Sequence, residues 1–282
     1  MTEEGLIALA LREQLQLPPQ VDLESLCREL HLEIVEVPSA SFDGALLRSA
    51  SGRVGRILVK KSIREQGRKR FTVAHEIGHV LLHPQDSRSC SSADIESWRS
   101  QEISPERQAD LFASELLLPS AAVEHRVGKK WPSFEVISDI AEHFGSSLTA
   151  AARKFCDVAT QSCAVVWSEG GKIRWIHRSG RFAYWIPVGS SLGFGSLASR
   201  IFENKPCPNT LEEVHAEDWI TSSWLIDGAL ISEQTIAMPN YGACLTLLWA
   251  KRDLENRPSE ADELLRELEP EEFSLNRKRW PR

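Results

Sequence analysis

Several features that would place this sequence in a common protein class are missing from it. No apolar run approaches the ~20 residues that span a bilayer, and the acidic N-terminus lacks the basic start of a secretory signal peptide. These absences predict a cytoplasmic protein without a membrane partner. No two of the six cysteines stand at C-x-x-C spacing, which excludes a zinc finger built from such pairs and favours free thiols.

An excess of positive charge is also missing. The formal net charge is −7, whereas nucleic-acid binding usually leaves a basic footprint. This balance disfavours a DNA-binding regulator and leaves room only for a local basic patch. In the C-terminal half the nearest candidates for such a patch are Arg174, His177, Arg178 and Arg181.

The composition is that of an ordinary globular protein, with 42% hydrophobic and 26% charged residues over 282 positions. This length predicts one or two domains with a sizeable core. Six of the nine tryptophans fall between positions 167 and 249, so the residue composition changes after about 157–162. We therefore predict an α+β fold in three parts: an N-terminal domain over 1–157, a C-terminal α+β domain over 158–255 and a charged tail over 256–282.

Hydrophobic periodicity and turn residues predict the elements. In the N-terminal domain they give strands over 32–37, 43–49 and 55–61, helices over 5–16, 22–31, 62–83 and 104–119, and a helical pair over 133–156. The helix over 62–83 is expected to begin with a capping box from Ser62 to Glu65, and the next helix with Ser104 and Pro105. After 158 the predicted elements are hairpins around 169–171 and 239–242, a strand over 183–188, helices over 196–203 and 210–218, and a tail helix over 258–268.

The motif His75-Glu76-x-x-His79 lies on the predicted helix over 62–83. Histidines four residues apart share one helix face and can bind one zinc ion, and Glu76 can reach a water held on that ion. The alternative is a helix with one buried and one exposed histidine. His83 continues the spacing, but it lies about 12 Å along the axis from His75, too far to share the ion.

A catalytic zinc needs a third protein ligand and one open position. The acidic candidates after the motif are Asp86, Asp94, Glu96, Glu102, Glu106 and Asp110. We predict Glu106 as the ligand because the first turn of a helix would hold it rigidly. Asp110 lies one turn later, where it suits the outer carboxylate that accepts from a zinc-bound histidine. The alternative is a solvated helix start, where acidic residues are favoured anyway.

The stretches RFTVAHEIGHVLLH at 70–83 and ERQADLFASELLLP at 106–119 resemble the ImmA/IrrE family of bacterial metallopeptidases. The resemblance extends to about residue 155, and it departs at Leu118, where methionine is common. It implies a gluzincin-like zinc peptidase domain that cleaves a partner helix-turn-helix repressor at one site. Such cleavage derepresses stress, DNA-damage, mobile-element or phage-defence genes. Some longer members carry a C-terminal GAF-like sensing domain.

The resemblance also implies the site residues. His75, His79 and Glu106 would bind Zn²⁺, and Glu76 would be the catalytic base. For the residue that stabilises the oxyanion, His83, His125 and His143 remain open alternatives. A different function for the same fold is a zinc-stabilised binding protein that sequesters the repressor without cutting it.

Cys90 lies in the polar loop between the two predicted ligand helices. Free cysteines are mostly buried, and thiolate is a strong zinc ligand. We hypothesise that Cys90 can fill the fourth position and keep the enzyme latent. The alternative is an ordinary loop thiol.

Two features raise the question of nucleic acid. The pair over 133–156 has a helix-turn-helix outline, but its second helix starts LTAAA and lacks a basic face, so we predict a structural role. The C-terminal tryptophans, such as Trp167, Trp175 and Trp185, are expected mainly in the core. An activating nucleic acid or small molecule remains a further candidate partner for this domain.

Overall fold

The computed structural model describes residues 2–48, 55–83, 89–90 and 104–256. These residues form an α+β fold with eight α-helices and two sheets. The helices are α1 (Glu3–Gln14), α2 (Leu23–Glu29), α3 (Gln66–Leu82), α4 (Pro105–Leu117), α5 (Ser120–Val127), α6 (Phe134–Phe144), α7 (Leu148–Val158) and α8 (Leu197–Phe202). The strands are β1 (Leu32–Val37), β2 (Gly44–Arg48), β3 (Gly55–Lys60), β4 (Ser89–Cys90), β5 (Cys163–Glu169), β6 (Lys172–Arg178), β7 (Glu212–His215), β8 (Leu230–Met238) and β9 (Ala243–Trp249).

The N-terminal sheet has the strand order β1-β3-β2-β4 and supports α3 on one face. β1 runs parallel to β3, while β2 runs antiparallel to both β3 and β4. In β3 the side chains of Ile57 and Val59 are buried and that of Arg56 is exposed, the alternation of a half-buried strand. The buried side chains of β3 pack with Ile77 of α3 and Phe112 of α4 in one core.

The start of α3 differs from the prediction. The capping box from Ser62 to Glu65 is wrong, because the helix begins at Gln66 and the Glu65 side chain makes no capping bond. The N–H of Ile63 instead donates to the Lys60 carbonyl in a turn that leaves β3, and the Ile63 side chain is buried in the core. Burial of that side chain therefore determines the path of the chain here. The start of α4 is as predicted: the Ser104 hydroxyl accepts from the Arg107 N–H at 3.2 Å.

Helix α5 was not predicted, whereas the pair α6 and α7 is confirmed. A left-handed residue, Gly145, joins the pair. Phe144 and Phe155 from this pair share a core with Val165 and Leu247 of the C-terminal sheet. The helical pair thus packs directly on the sheet of the C-terminal half.

The C-terminal sheet is antiparallel throughout, with the order β6-β5-β9-β8-β7. Both predicted hairpins are confirmed. The strand expected over 183–188 is wrong, since this segment joins neither sheet and Pro187 has no N–H to donate. The helix expected over 210–218 is also wrong. Val214 is the buried residue of β7, and one apolar residue suits an edge strand better than a helix face.

No helix within the described ranges is long and apolar enough to cross a membrane. The predicted tail helix over 258–268 lies outside the described residues.

Candidate metal centre

Two helices that pack unusually closely form the candidate site. Gly78 of α3 faces Ala109 of α4, and a Cβ added at Gly78 would lie 3.1 Å from the Ala109 Cα. Two small residues therefore let the helix backbones approach. This approach brings Glu106, in the first turn of α4, to the face of α3 that carries His75 and His79.

Three side-chain atoms converge at this place. His79 Nε2 lies 3.1 Å from His75 Nε2 and 3.1 Å from Glu106 Oε2, and His75 Nε2 lies 3.2 Å from Glu106 Oε2. Among the described residues, this is the group whose donor atoms could hold a metal ion. The two histidines are buried and Glu106 is half-buried.

The triangle fits a tetrahedral zinc ion. Bonds of about 2.0–2.1 Å place tetrahedral ligand atoms about 3.3 Å apart, close to the three distances seen here. An ion on the triangle's axis would keep one position open, as catalytic zinc requires. The donor set of two imidazoles and one carboxylate also matches known catalytic zinc sites. The residues present therefore fit the metal.

Asp110 fixes the orientation of the first histidine. His75 Nδ1 donates to Asp110 Oδ1 over 2.8 Å, and both groups are buried. Since Nδ1 carries the proton, the Nε2 lone pair of the neutral ring is directed at the metal position. This hydrogen bond is the contact that the predicted role of Asp110 as the outer carboxylate requires.

The same contacts control protonation of the metal-free site. Burial lowers the pKa of His75, but hydrogen bonds with Asp110 and Glu106 outweigh it and raise the pKa to about 9. Burial raises the pKa of Glu106, but the hydrogen bonds with His75 and His79 hold it well below its usual range. A metal ion entering at neutral pH therefore has to displace a proton from His75.

Glu76 is fully buried beside the cluster, and a close backbone approach confines its carboxylate. A Cβ added at Gly44 would lie 2.5 Å from Glu76 Oε1 and 2.6 Å from Thr72 Cγ2. Gly44, the first residue of β2, is thus a site residue that the sequence analysis missed. The only sequence signal was a glycine at the predicted strand start, which is equally typical of a turn.

Other candidates from the sequence lie elsewhere or cannot be placed. The ring of His83 packs 5.4 Å from that of His79, whereas His125 and His143 lie on α5 and α6, outside the cluster. The acidic alternatives Asp86, Asp94, Glu96 and Glu102 lie outside the described residues. For Cys90 the structure describes only the main chain, which pairs with Gly44 in β2; its side chain is outside the description.

We expect Asp110→Asn to weaken zinc binding about 10- to 100-fold, because an amide orients and polarises the His75 ring less well than a carboxylate. Competition with a zinc-chelating dye measures the dissociation constant. Asp227→Asn, at an exposed position, is the matched control and should leave it unchanged. Equal zinc affinity in the Asp110 variant and the wild type would show that this hydrogen bond does not act on the metal.

Comparison with known proteins gives a family match over the part of the chain that holds the cluster. Residues 27–155, which include the metal cluster and Gly44, match the peptidase family model Peptidase_M78, described as an IrrE N-terminal-like domain. The resemblance found in the sequence is thereby confirmed for this part of the chain. A comparison with curated proteins found no match. Among solved structures, a Mycobacterium tuberculosis transcriptional regulator is similar in fold, with 13% identity, a TM-score of 0.51, and coverage of 88% of this chain and 76% of that one.

Proposed function

We propose that the IrrE N-terminal-like domain of this chain is a zinc-dependent, site-specific endopeptidase that cleaves a partner helix-turn-helix repressor. The observation that carries the proposal is the triangle of His75, His79 and Glu106 atoms with edges of 3.1–3.2 Å. A buried carboxylate, Glu76, stands next to it on the same helix. A merely structural zinc site would be closed by four protein ligands and would not need this carboxylate.

A zinc ion bound here would lower the pKa of a coordinated water and polarise the scissile carbonyl. The protein's own residues supply the rest of the reaction. Glu76 takes the proton of the attacking water and returns it to the leaving amine. Asp110 keeps the Nδ1 proton on His75 throughout. Burial of Glu76 and both histidines restricts access of competing water.

The substrate is proposed from similarity rather than from the shape of the site. The family model and the fold of a transcriptional regulator together support a role in processing a regulator of transcription. In this proposal a cytoplasmic repressor is cut, and stress, DNA-damage, mobile-element or phage-defence genes are released. The C-terminal domain is the regulatory part.

The test is to incubate the purified, zinc-loaded chain with helix-turn-helix repressors from the same genome. Two fragments whose masses add up to the repressor plus one water support the endopeptidase. A stable complex with an intact repressor instead supports the alternative, a binding protein that sequesters its partner. Loss of the fragments on chelation and their return with zinc would tie the cleavage to the metal.

We expect Gly44→Ala to lower the cleavage rate about 100-fold, because the new methyl group would displace the Glu76 carboxylate from its position. The zinc content should not change, since Gly44 is not a ligand. Gly180→Ala is the control, because a Cβ there has no neighbour within 4 Å. Full activity in the Gly44 variant would mean that Glu76 tolerates displacement.

We further propose that Cys90 holds the enzyme latent as a fourth ligand. The support is the main-chain pairing of Cys90 with Gly44, where an added Cβ would lie 2.5 Å from Glu76 Oε1. Cys90→Ser should then raise the basal cleavage rate, and zinc K-edge X-ray absorption of the resting protein should show one sulfur ligand. A site with only nitrogen and oxygen ligands, and no gain in the Cys90 variant, would eliminate the latch.

A further inference from the structure

One face of α3 meets the start of β2 at three successive turns. Arg68, Thr72 and Glu76 follow each other at intervals of four residues, so they lie on the same face of the helix. Arg68 contacts Asp43, the residue before β2. Thr72 and Glu76 lie beside Gly44, where an added Cβ would be 2.6 Å from Thr72 Cγ2 and 2.5 Å from Glu76 Oε1. The place of Glu76 therefore belongs to a contact that begins two turns earlier on its own helix.

Asp43 is a buried carboxylate that links the sheet to this helix. Arg68 Nη2 donates to Asp43 Oδ2 over 2.6 Å, and Lys60 Nζ donates to Asp43 Oδ1 over 3.2 Å. The Asp43 side chain is only 3% exposed. Hydrogen bonds between charged groups are strong when they are shielded from water in this way. The Arg68 bond crosses from β2 to α3, whereas Lys60 belongs to β3, which already pairs with β2 along the main chain.

The spacing between β2 and α3 at this point cannot be set by Gly44, which has no side chain. The Thr72 hydroxyl is buried here and has no hydrogen-bond partner among the described residues. The bond between Asp43 and Arg68 lies only one residue from Gly44. It is therefore well placed to determine how closely the strand approaches the helix.

Arg68 is too far from Glu76 to act on it mainly by charge. Eight residues correspond to about 12 Å along a helix axis, more than the screening length of about 8 Å at physiological ionic strength. The Asp43 carboxylate also neutralises the guanidinium. An effect of Arg68 on Glu76 is therefore expected through the position of β2.

We propose that Arg68 and Asp43 are positioning residues, whose bond fixes the spacing between α3 and β2 and thereby holds the Glu76 carboxylate in its place beside the metal cluster. The inference rests on the proposed function, because it takes Glu76 as the base. Neither residue belongs to the group of ligand atoms, so neither is a catalytic residue. A displacement of about 1 Å can cost about 100-fold in rate. A loosened spacing should therefore lower kcat rather than weaken binding of the substrate or the metal.

A double-mutant cycle on thermal stability tests the spacing without any turnover. Gly44→Ala adds the methyl group that the present spacing excludes, so it should lower the Tm. Arg68→Gln releases the link, and this variant should fold because Lys60 still neutralises Asp43. In the Arg68→Gln background, Gly44→Ala should lower the Tm by less than half as much, because the strand can then move away from the helix. Additive shifts, or no shift from Gly44→Ala in the wild type, would each overturn the proposal.

Lys60→Gln is the matched control for the cycle. It removes the other cation from the same carboxylate but keeps the bond to α3. In this background the Gly44→Ala shift should be undiminished. A shift that shrinks as much as in the Arg68→Gln background would mean that the charge of Asp43, and not its bond to the helix, sets the spacing.

Kinetics of the zinc-loaded chain with a repressor that it cleaves give the second readout. Arg68→Gln should lower kcat about 10-fold and leave KM and the zinc affinity within about twofold. Arg68→Lys keeps a cation within reach of Asp43 and should recover most of the rate. An unchanged kcat in Arg68→Gln, or a loss of zinc affinity as large as the loss of rate, would contradict the positioning role. A wild-type chain that cuts no repressor fails the proposed function, while the stability cycle still decides the spacing.

Discussion

Replacing Glu76 with Gln is expected to lower the rate of repressor cleavage about 10²- to 10⁴-fold while the bound zinc stays at the wild-type level. The amide has nearly the shape of the carboxylate, so it fits the same confined space beside Gly44. It cannot accept the proton of the attacking water, however, and the reaction loses its base. Because His75, His79 and Glu106 are untouched, the metal should remain. Cleavage assays with parallel metal analysis measure both quantities.

The control for Glu76→Gln is Glu124→Gln, which changes an exposed glutamate on α5. It should cleave like the wild type. If Glu76→Gln also cleaves, the base is assigned wrongly. If Glu76→Gln loses its zinc together with its activity, the Glu76 carboxylate is needed to hold the metal, and the loss of activity is then no evidence for a catalytic base.

Glu76 and the two histidines could be predicted from the sequence because they depend on one helix. Spacing of four residues fixes two side chains on one face whatever the rest of the chain does. The sequence did not predict where that helix begins. The turn after β3 and the burial of Ile63 decide that, and both depend on the sheet.

Contacts between distant segments were predicted less well. A rigid helix start favours Glu106 as the third ligand, but it does not show that the two helices meet. The structure brings Glu106 to the histidines because Gly78 and Ala109 let the helices approach. Gly44 is 32 positions before Glu76, and only the folded sheet places it against the carboxylate. Hydrophobic periodicity cannot predict this contact between distant residues. It shows which face of an element is buried, but not which other segment covers that face.

The tryptophans show the same limit. Aromatic residues on strands are usually packed inside, and Trp175 follows this rule. Trp185 does not, because its segment joins no strand and its ring faces outward. Nothing in the loop before α6 indicates that Trp131 stacks on Trp249 of the C-terminal sheet.

Substitution of Lys154 by Met is expected to reduce the free energy of unfolding by about 3–5 kcal/mol. Lys154 of α7 and Glu115 of α4 form an ion pair at 3.0 Å, and their side chains are only 6% and 8% exposed. Removing the lysine leaves a buried carboxylate that still accepts from the N–H and the hydroxyl of Ser120 but has lost its cation. Urea unfolding followed by circular dichroism measures the loss.

The double variant Glu115→Leu/Lys154→Met separates charge from packing. Since it leaves no charge buried, it should recover much of the stability lost in Lys154→Met. Lys205→Met is the control, because Lys205 pairs with Glu203 at the surface and its loss should cost below about 1 kcal/mol. A double variant as unstable as the single one would mean that the lysine acts by filling space.

The Lys154–Glu115 pair also joins α4, which carries Glu106, to the helices that share a core with the C-terminal sheet. If this connection holds α4 in position, zinc affinity should fall in Lys154→Met, and it should return in the double variant only where apolar contact replaces the ion pair.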